Sequence, residues 1–214
     1  MQVITFTPIL APLLLLARPP SLARHAVPRV CAPHVDDCEA VRRTLAWLDN
    51  FIIGHGLCPF AKAARRQTRI VVCEDEVAEA CLDDEIRALR AIDCSRPGTT
   101  LVVLPRLTSF EAFMDFQAEV EVLADADSTA ARVQVLAFHP EATFEVEDDP
   151  ADWAMRSPLP TLHLLRDADV EAADAKWVAQ HAPHEPPGIQ ARNAAYLRGL
   201  GSAGAQTASR ASFQ

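Results

Sequence analysis

The chain has 214 residues, a formal charge of −9 and a pI near 5.2; half of its residues are hydrophobic and 23% are charged. That length fits one globular domain with enough apolar material for a core, and it excludes a wholly disordered chain. The acidic balance argues against a nucleic-acid partner, because phosphate-backbone affinity comes from clustered lysines and arginines.

The charge is unevenly spread. Met1 to His34 contain Arg18, Arg24 and Arg29 but no acid, and the first carboxylate is Asp36. Ile9 to Ala17 form an apolar run of signal-peptide length, too short to cross a bilayer as a helix. It is followed by Arg18, two prolines and Ser21-Leu22-Ala23, with a small-residue cleavage site near Ala23. Arg24 to His34 is Arg-, Ala- and Pro-containing and acid-free, as organelle transit segments are. A hydrophobic stretch followed by a transit-like one resembles the bipartite leader of plastid proteins in algae whose plastid has extra membranes. Residues 1–35 are therefore read as a targeting leader to the plastid, with the mitochondrion as the alternative. No other segment is apolar enough to span a membrane, so no membrane partner is expected. The six cysteines (31, 38, 58, 73, 81, 94) form no C-x-x-C pair, which argues against a disulfide framework or zinc ribbon and for a reducing compartment.

In residues 36–201 the periodicity alternates. Asp36 with Glu39 makes a capping-box-like start, and Val41, Leu45, Leu48 and Ile52 follow at helical spacing, widened by Trp47 and Phe51. Gly54 and Gly56 stop this helix, and a short one from Pro59 to Arg66 follows with proline in its first turn. Arg69 to Cys73 reads as a buried strand and Glu76 to Ile92 as a helix, with Val77, Cys81 or Leu82, Ile86 and Leu89 inward. Thr99 to Leu104 is a second strand. Thr108 caps the next helix, whose stripe is Phe110, Phe113, Met114, Val120 and Leu123. Arg132 to Phe138 and Thr161 to Leu165 are the third and fourth strands, with helices over Asp169 to Val178 and Ile189 to Leu200. The fold class is thus α/β: a single layered domain with a mixed, partly parallel sheet of about four strands flanked by helices. Residues 202–214, rich in Gly, Ser, Ala and Gln, are expected to form a disordered tail. The aperiodic stretch from His139 to Pro160 contains four prolines and the acidic run Glu145 to Asp149, and long loops of this kind are often functional.

Three clusters carry the chemistry. Cys58 precedes a helix N-terminus, where free amides and the dipole stabilise a thiolate, although most free cysteines are small buried apolar residues. His139 sits where a strand ends and the long loop leaves, the end at which α/β sheets collect ligands; the plainer role is a hydrogen bond that orders the loop. Arg156, Ser157, Thr161 and His163 flank a proline-fixed turn that suits a carboxylate or phosphate, unless Arg156 merely pairs with Asp148 or Asp149 to pin the loop. Cys58, His139 and His163 form either a Cys-His nucleophilic set or, with Asp148 or Asp149, a metal site, and neither has diagnostic spacing. No nucleotide, zincin or serine-hydrolase motif is present.

At these clusters the chain resembles the bacterial and plant "domain of unknown function 1415" family. The pattern is carried by Trp47, Gly54, Leu57 to Ala61, Phe138 to Pro140 and Arg156 to Arg166, with Arg192-Asn193 and Leu197 to Gly201 also similar. Met155 stands where members typically have asparagine, and Leu159 where they have tyrosine. The resemblance implies no transferable activity or cofactor, and plant and algal members look plastid-targeted.

The expectation is a small soluble organellar enzyme acting on a small anionic molecule, with Cys58, His139 and His163 catalytic, Arg156, Ser157 and Thr161 binding substrate, and no metal or assigned cofactor. It predicts one pocket lined by all three clusters. A thioredoxin-like redox protein is the first alternative, since Cys58-Pro-Phe-Ala61 is similar to a glutaredoxin start and Pro160 would then be a cis-proline beside Cys58. The second is a non-catalytic binding or assembly module in which these residues hold the loop to the sheet.

Overall fold

In a computed structural model the described residues are 35–73, 78–93, 97–126, 131–144, 146, 148–180 and 188–213. The leader and the beginning of the third predicted helix at Glu76 and Val77 lie outside them. The described residues fall within the unit Pro33–Gln214.

The first predicted helix is two kinds of helix in sequence. An α-helix, α1 (Val35–Ala46), already includes Asp36, and it runs into a wider π-helical segment, Trp47–Ile53. The wider turn buries Trp47, Leu48, Phe51 and Ile52 together. It ends at Gly54, where an added Cβ would stand 2.1 Å from the Asn50 carbonyl oxygen, so no side chain fits. Gly56, at φ +64°, completes the reversal into the short α2 (Pro59–Ala64).

The four strands are β1 (Thr68–Val72), β2 (Thr99–Val103), β3 (Val133–Phe138) and β4 (Thr161–Arg166), in the order β1-β2-β4-β3. β1 and β2 are parallel, joined through α3 (Ala78–Arg90), whereas β4 lies antiparallel to both β2 and β3. The mixed, partly parallel sheet read from the sequence is therefore present. Period-two alternation gives the sheet two apolar faces. Val102, Leu104, Val133, Val135, Leu162 and Leu164 pack against α3 and α4 (Phe110–Asp125). Leu101 and Phe138 pack on the other face with Trp47, Phe51, Leu57 and Leu197. The completely covered Leu82, Val102, Leu162 and Leu164 each contribute roughly 1.5–3 kcal/mol on burial. The α4 cap is Ser109, whose hydroxyl accepts from the Ala112 amide, rather than Thr108.

Three expectations are corrected. The thioredoxin-like alternative needs a cis Pro160 beside Cys58. The described residues contain no cis peptide, and Cys58 packs by Leu165, at the opposite end of β4 from Pro160. The tail expected over 202–214 is instead helical: α6 spans Gly188–Ala211, with a kink at Gly201. Its small residues permit close approach to the core, where Ala205 and Ser209 are buried. Finally, Cys73 at the end of β1 is disulfide-bonded to Cys81 in α3, a crosslink that the irregular cysteine spacing did not announce. α5 (Asp167–Gln180) follows β4 directly and begins two residues before the helix read from Asp169 to Val178.

Candidate functional site

Cys58 is the N-cap of α2, in extended backbone, and its sulfur faces the Phe60 and Ala61 amides as the sequence implied. Burial nevertheless dominates and raises the thiol pKa, against the opposing pull of those amides and of the Arg192 guanidinium. The side chain packs against Phe60, Ala64 and Leu165. The loop that presents it is clamped by α6. Arg192 donates to the Gly56 carbonyl and stacks 4.6 Å above the Trp177 ring, while the Asn193 amide donates to the Leu57 carbonyl at 2.6 Å. Beside the clamp, His55 Nδ1 and the Tyr196 hydroxyl are 2.7 Å apart.

His163 lies on the same face of the sheet, between Leu101 of β2 and Leu136 of β3. The Thr99 hydroxyl donates to the Leu164 carbonyl at 3.0 Å, so its oxygen accepts from His163 Nε2. That pairing places the ring proton on Nε2. Burial lowers the His163 pKa to about 4, and the imidazole is neutral at physiological pH.

His139 sits on the other face. Strand alternation carries it to α4, where its ring lies 5.4 Å from that of Phe110 and 5.2 Å from that of Phe113. Nδ1 accepts from the Glu141 amide at 3.1 Å, leaving the proton on Nε2, which has no partner within hydrogen-bond geometry among the described residues. Desolvation lowers its pKa, opposed by the Leu107 backbone, the charge of Glu141 and the Thr108 backbone. The single pocket expected to gather Cys58, His139 and His163 is therefore not formed, because the sheet separates His139 from the other two. Among the described residues no three His, Cys, Asp or Glu side chains group as a metal site.

The third cluster folds onto itself more tightly than expected. Ser157 and Thr161 both donate to the Leu159 carbonyl, at 2.6 and 2.8 Å, and close the proline turn. Arg156 does not pair with Asp148 or Asp149. Its Nε donates to the Ala142 carbonyl at 2.9 Å, Nη2 to the Thr143 hydroxyl at 3.3 Å, and its plane lies 4.5 Å above the Trp153 ring. Asp149 caps the 3-10 turn Pro150–Met155 and is held by Arg198 of α6 at 2.6 Å. That contact, with the Ala151 amide, lowers the carboxyl pKa to about 2. Trp47 Nε1 donates to the Arg156 carbonyl at 3.0 Å and joins the loop to the π-helical segment.

Arg156 and Ser157 also line an open cleft of about 200 Å³ with Arg43, Pro140, Trp153, Pro158, Ser209, Arg210 and Phe213. Three arginines line it, and no Asp or Glu is among its described lining residues. Arg43 donates to the Pro158 carbonyl at 3.3 Å and lies 5.7 Å from the Phe213 ring centre. Arg210 is exposed and its guanidinium makes no hydrogen bond among the described residues. Motif reading missed Arg43, Arg210 and Phe213. A signal existed: no acid follows Glu185 in a chain with 29 of them, so the last helix is purely basic.

The fold and this cleft define a single-domain α/β protein with a four-stranded mixed sheet. The family model described as a protein of unknown function, DUF1415, matches residues 39–207, and the chain belongs to that family. No curated protein and no solved structure matches the chain.

Proposed function

We propose that the protein binds a small anionic molecule, and that the anion sits in the cleft between Arg43, Arg156 and Arg210. The observation that carries this reading is that three arginines line one cleft with no Asp or Glu among its described lining residues, in a chain whose net charge is −9. Like charges repel unless something compensates them, and an anion is the natural compensation. Two of the three are pre-oriented, Arg156 over Trp153 and Arg43 near Phe213, which reduces the ordering cost of binding. Support is for binding more than for nucleophilic catalysis, since Cys58, His139 and His163 do not line the cleft and the thiol is held protonated by burial. The acid-free, Arg-containing leader supports work in the plastid.

A thermal-shift panel of small phosphorylated, carboxylated and neutral compounds tests the function. Anions should raise the melting temperature in proportion to the logarithm of their concentration. Arg210→Gln should shift the response to about tenfold higher anion concentration while leaving the unliganded melting temperature unchanged. Equal responses to neutral compounds, or an undiminished response in the variant, would refute the assignment.

A further inference from the structure

We infer that the cleft selects a compact dianion with the chemistry of a phosphomonoester over singly charged carboxylates, an inference that rests on the proposed anion site. A guanidinium has five N–H donors. Arg156 uses Nε on Ala142 and one Nη2 hydrogen on Thr143, Arg43 uses one on Pro158, and Arg210 uses none among the described residues. Each therefore keeps donors for a ligand. The three approach from different elements, α1, the end of the 3-10 turn and the last turn of α6. Three donors from three directions match the three terminal oxygens of a phosphoryl group better than the two coplanar oxygens of a carboxylate. A monoanion also leaves more of the local positive charge uncompensated than a dianion does.

The wall adds two restrictions. The Ser157 hydroxyl is committed as a donor to Leu159, so its proton is not free for a ligand. About 200 Å³ is smaller than a typical drug-sized pocket of roughly 300–1,000 Å³ and suits a phosphoryl group bearing only a few carbons. Other charged and titratable groups stand on or beside the elements that line the cleft. Glu39 on α1 pairs with Arg42 and also feels Arg43, Asp149 pairs with Arg198, and Asp152 accepts from the Phe144 amide. His139, with Glu141 two residues on, turns its ring towards Phe110 and Phe113. A pH response from any of them is separated by a ligand whose own charge does not change.

The test is calorimetric titration of the full chain, at low salt, with methyl phosphate and sulfate at about pH 5 and about pH 7.5, and with acetate at the higher pH. A phosphomonoester loses its second proton near pH 6, so methyl phosphate should bind about tenfold tighter at the higher pH. Sulfate, doubly charged throughout, should change little, and acetate should bind at least tenfold more weakly than methyl phosphate. Arg210→Gln should weaken methyl phosphate by about tenfold, the loss of a charge-assisted contact, with the urea midpoint unchanged. Acetate as tight as methyl phosphate, or methyl phosphate insensitive to pH, overturns the dianion selection while leaving the anion cleft intact. A parallel change in sulfate assigns the pH response to the protein and also overturns it. Failure of all three anions to bind overturns the cleft itself.

Discussion

Replacing Trp47 with phenylalanine removes one N–H and part of a ring from a site that is 1% exposed. The indole donates to the Arg156 carbonyl at 3.0 Å and its ring meets that of Phe138 edge-on at 5.3 Å. Phenylalanine keeps much of the edge contact but leaves the carbonyl without its donor. An orphaned buried acceptor costs about 1–3 kcal/mol. The two or so ring carbons lost cost roughly another 1–2 kcal/mol in transfer and cavity terms. Together these give a destabilisation of about 2–5 kcal/mol. At roughly 2–4 °C per kcal/mol for a domain of this size, the melting temperature should fall by about 4–20 °C. Urea unfolding followed by circular dichroism measures the free energy directly. Because the lost bond holds the backbone of Arg156, anion affinity at the cleft should fall as well, under conditions where the variant is still folded. A destabilisation below about 0.5 kcal/mol with unchanged affinity would refute the view that Trp47 positions the cleft.

Three further outcomes are expected. Reduction of Cys73–Cys81 by dithiothreitol should lower stability by about 2–3 kcal/mol on loop-closure grounds, read as a lower urea midpoint; a Cys81→Ala variant should match it and no longer respond to the reductant. Cys58 should alkylate with iodoacetamide at neutral pH at least tenfold more slowly than glutathione, because burial both shields the thiol and raises its pKa; a rate equal to or above that of glutathione would contradict the placement. The ring resonances of His163 should stay unchanged in NMR from about pH 8 to about pH 5.5, as its pKa is lowered to about 4. Since the unfolded chain binds that proton near pH 6.5 and the folded one does not, the stability tied to neutral His163 is complete above that pH and is lost as pH falls towards 4. Titration of His163 near pH 6.5 would show that the ring is solvated.

The architecture was legible where burial is two-sided or strictly periodic. TTLVVL and TLHLL read as strands because β2 and β4 are central and covered on both faces. The π-helical turn at Trp47–Ile53 was not, because a helix with apolar residues on most sides has the same pattern whether its turns are regular or wide. Small residues misled in α6: Gly, Ser and Ala indicate a loose tail by composition, yet the same lack of bulk lets Ala205 and Ser209 approach the core. At the cleft, motif reading located Arg156 and Ser157 but not Arg43, Arg210 and Phe213, which line it with them. His139 and His163 are both next to strand ends or within strands, and one extra residue of alternation puts them on opposite faces. Arg43 and Arg210 are more than 160 residues apart, and only tertiary packing brings them to one cleft.

The most direct measurement is an NMR titration of the arginine Nε–H resonances with methyl phosphate, with Arg43, Arg156 and Arg210 assigned through Arg→Lys variants. The account predicts that all three resonances move and report one shared dissociation constant, while Arg87, paired with Asp83 and Asp84 away from the cleft, stays still. Three unrelated constants, or shifts no larger than that of Arg87, would contradict an anion site in this cleft.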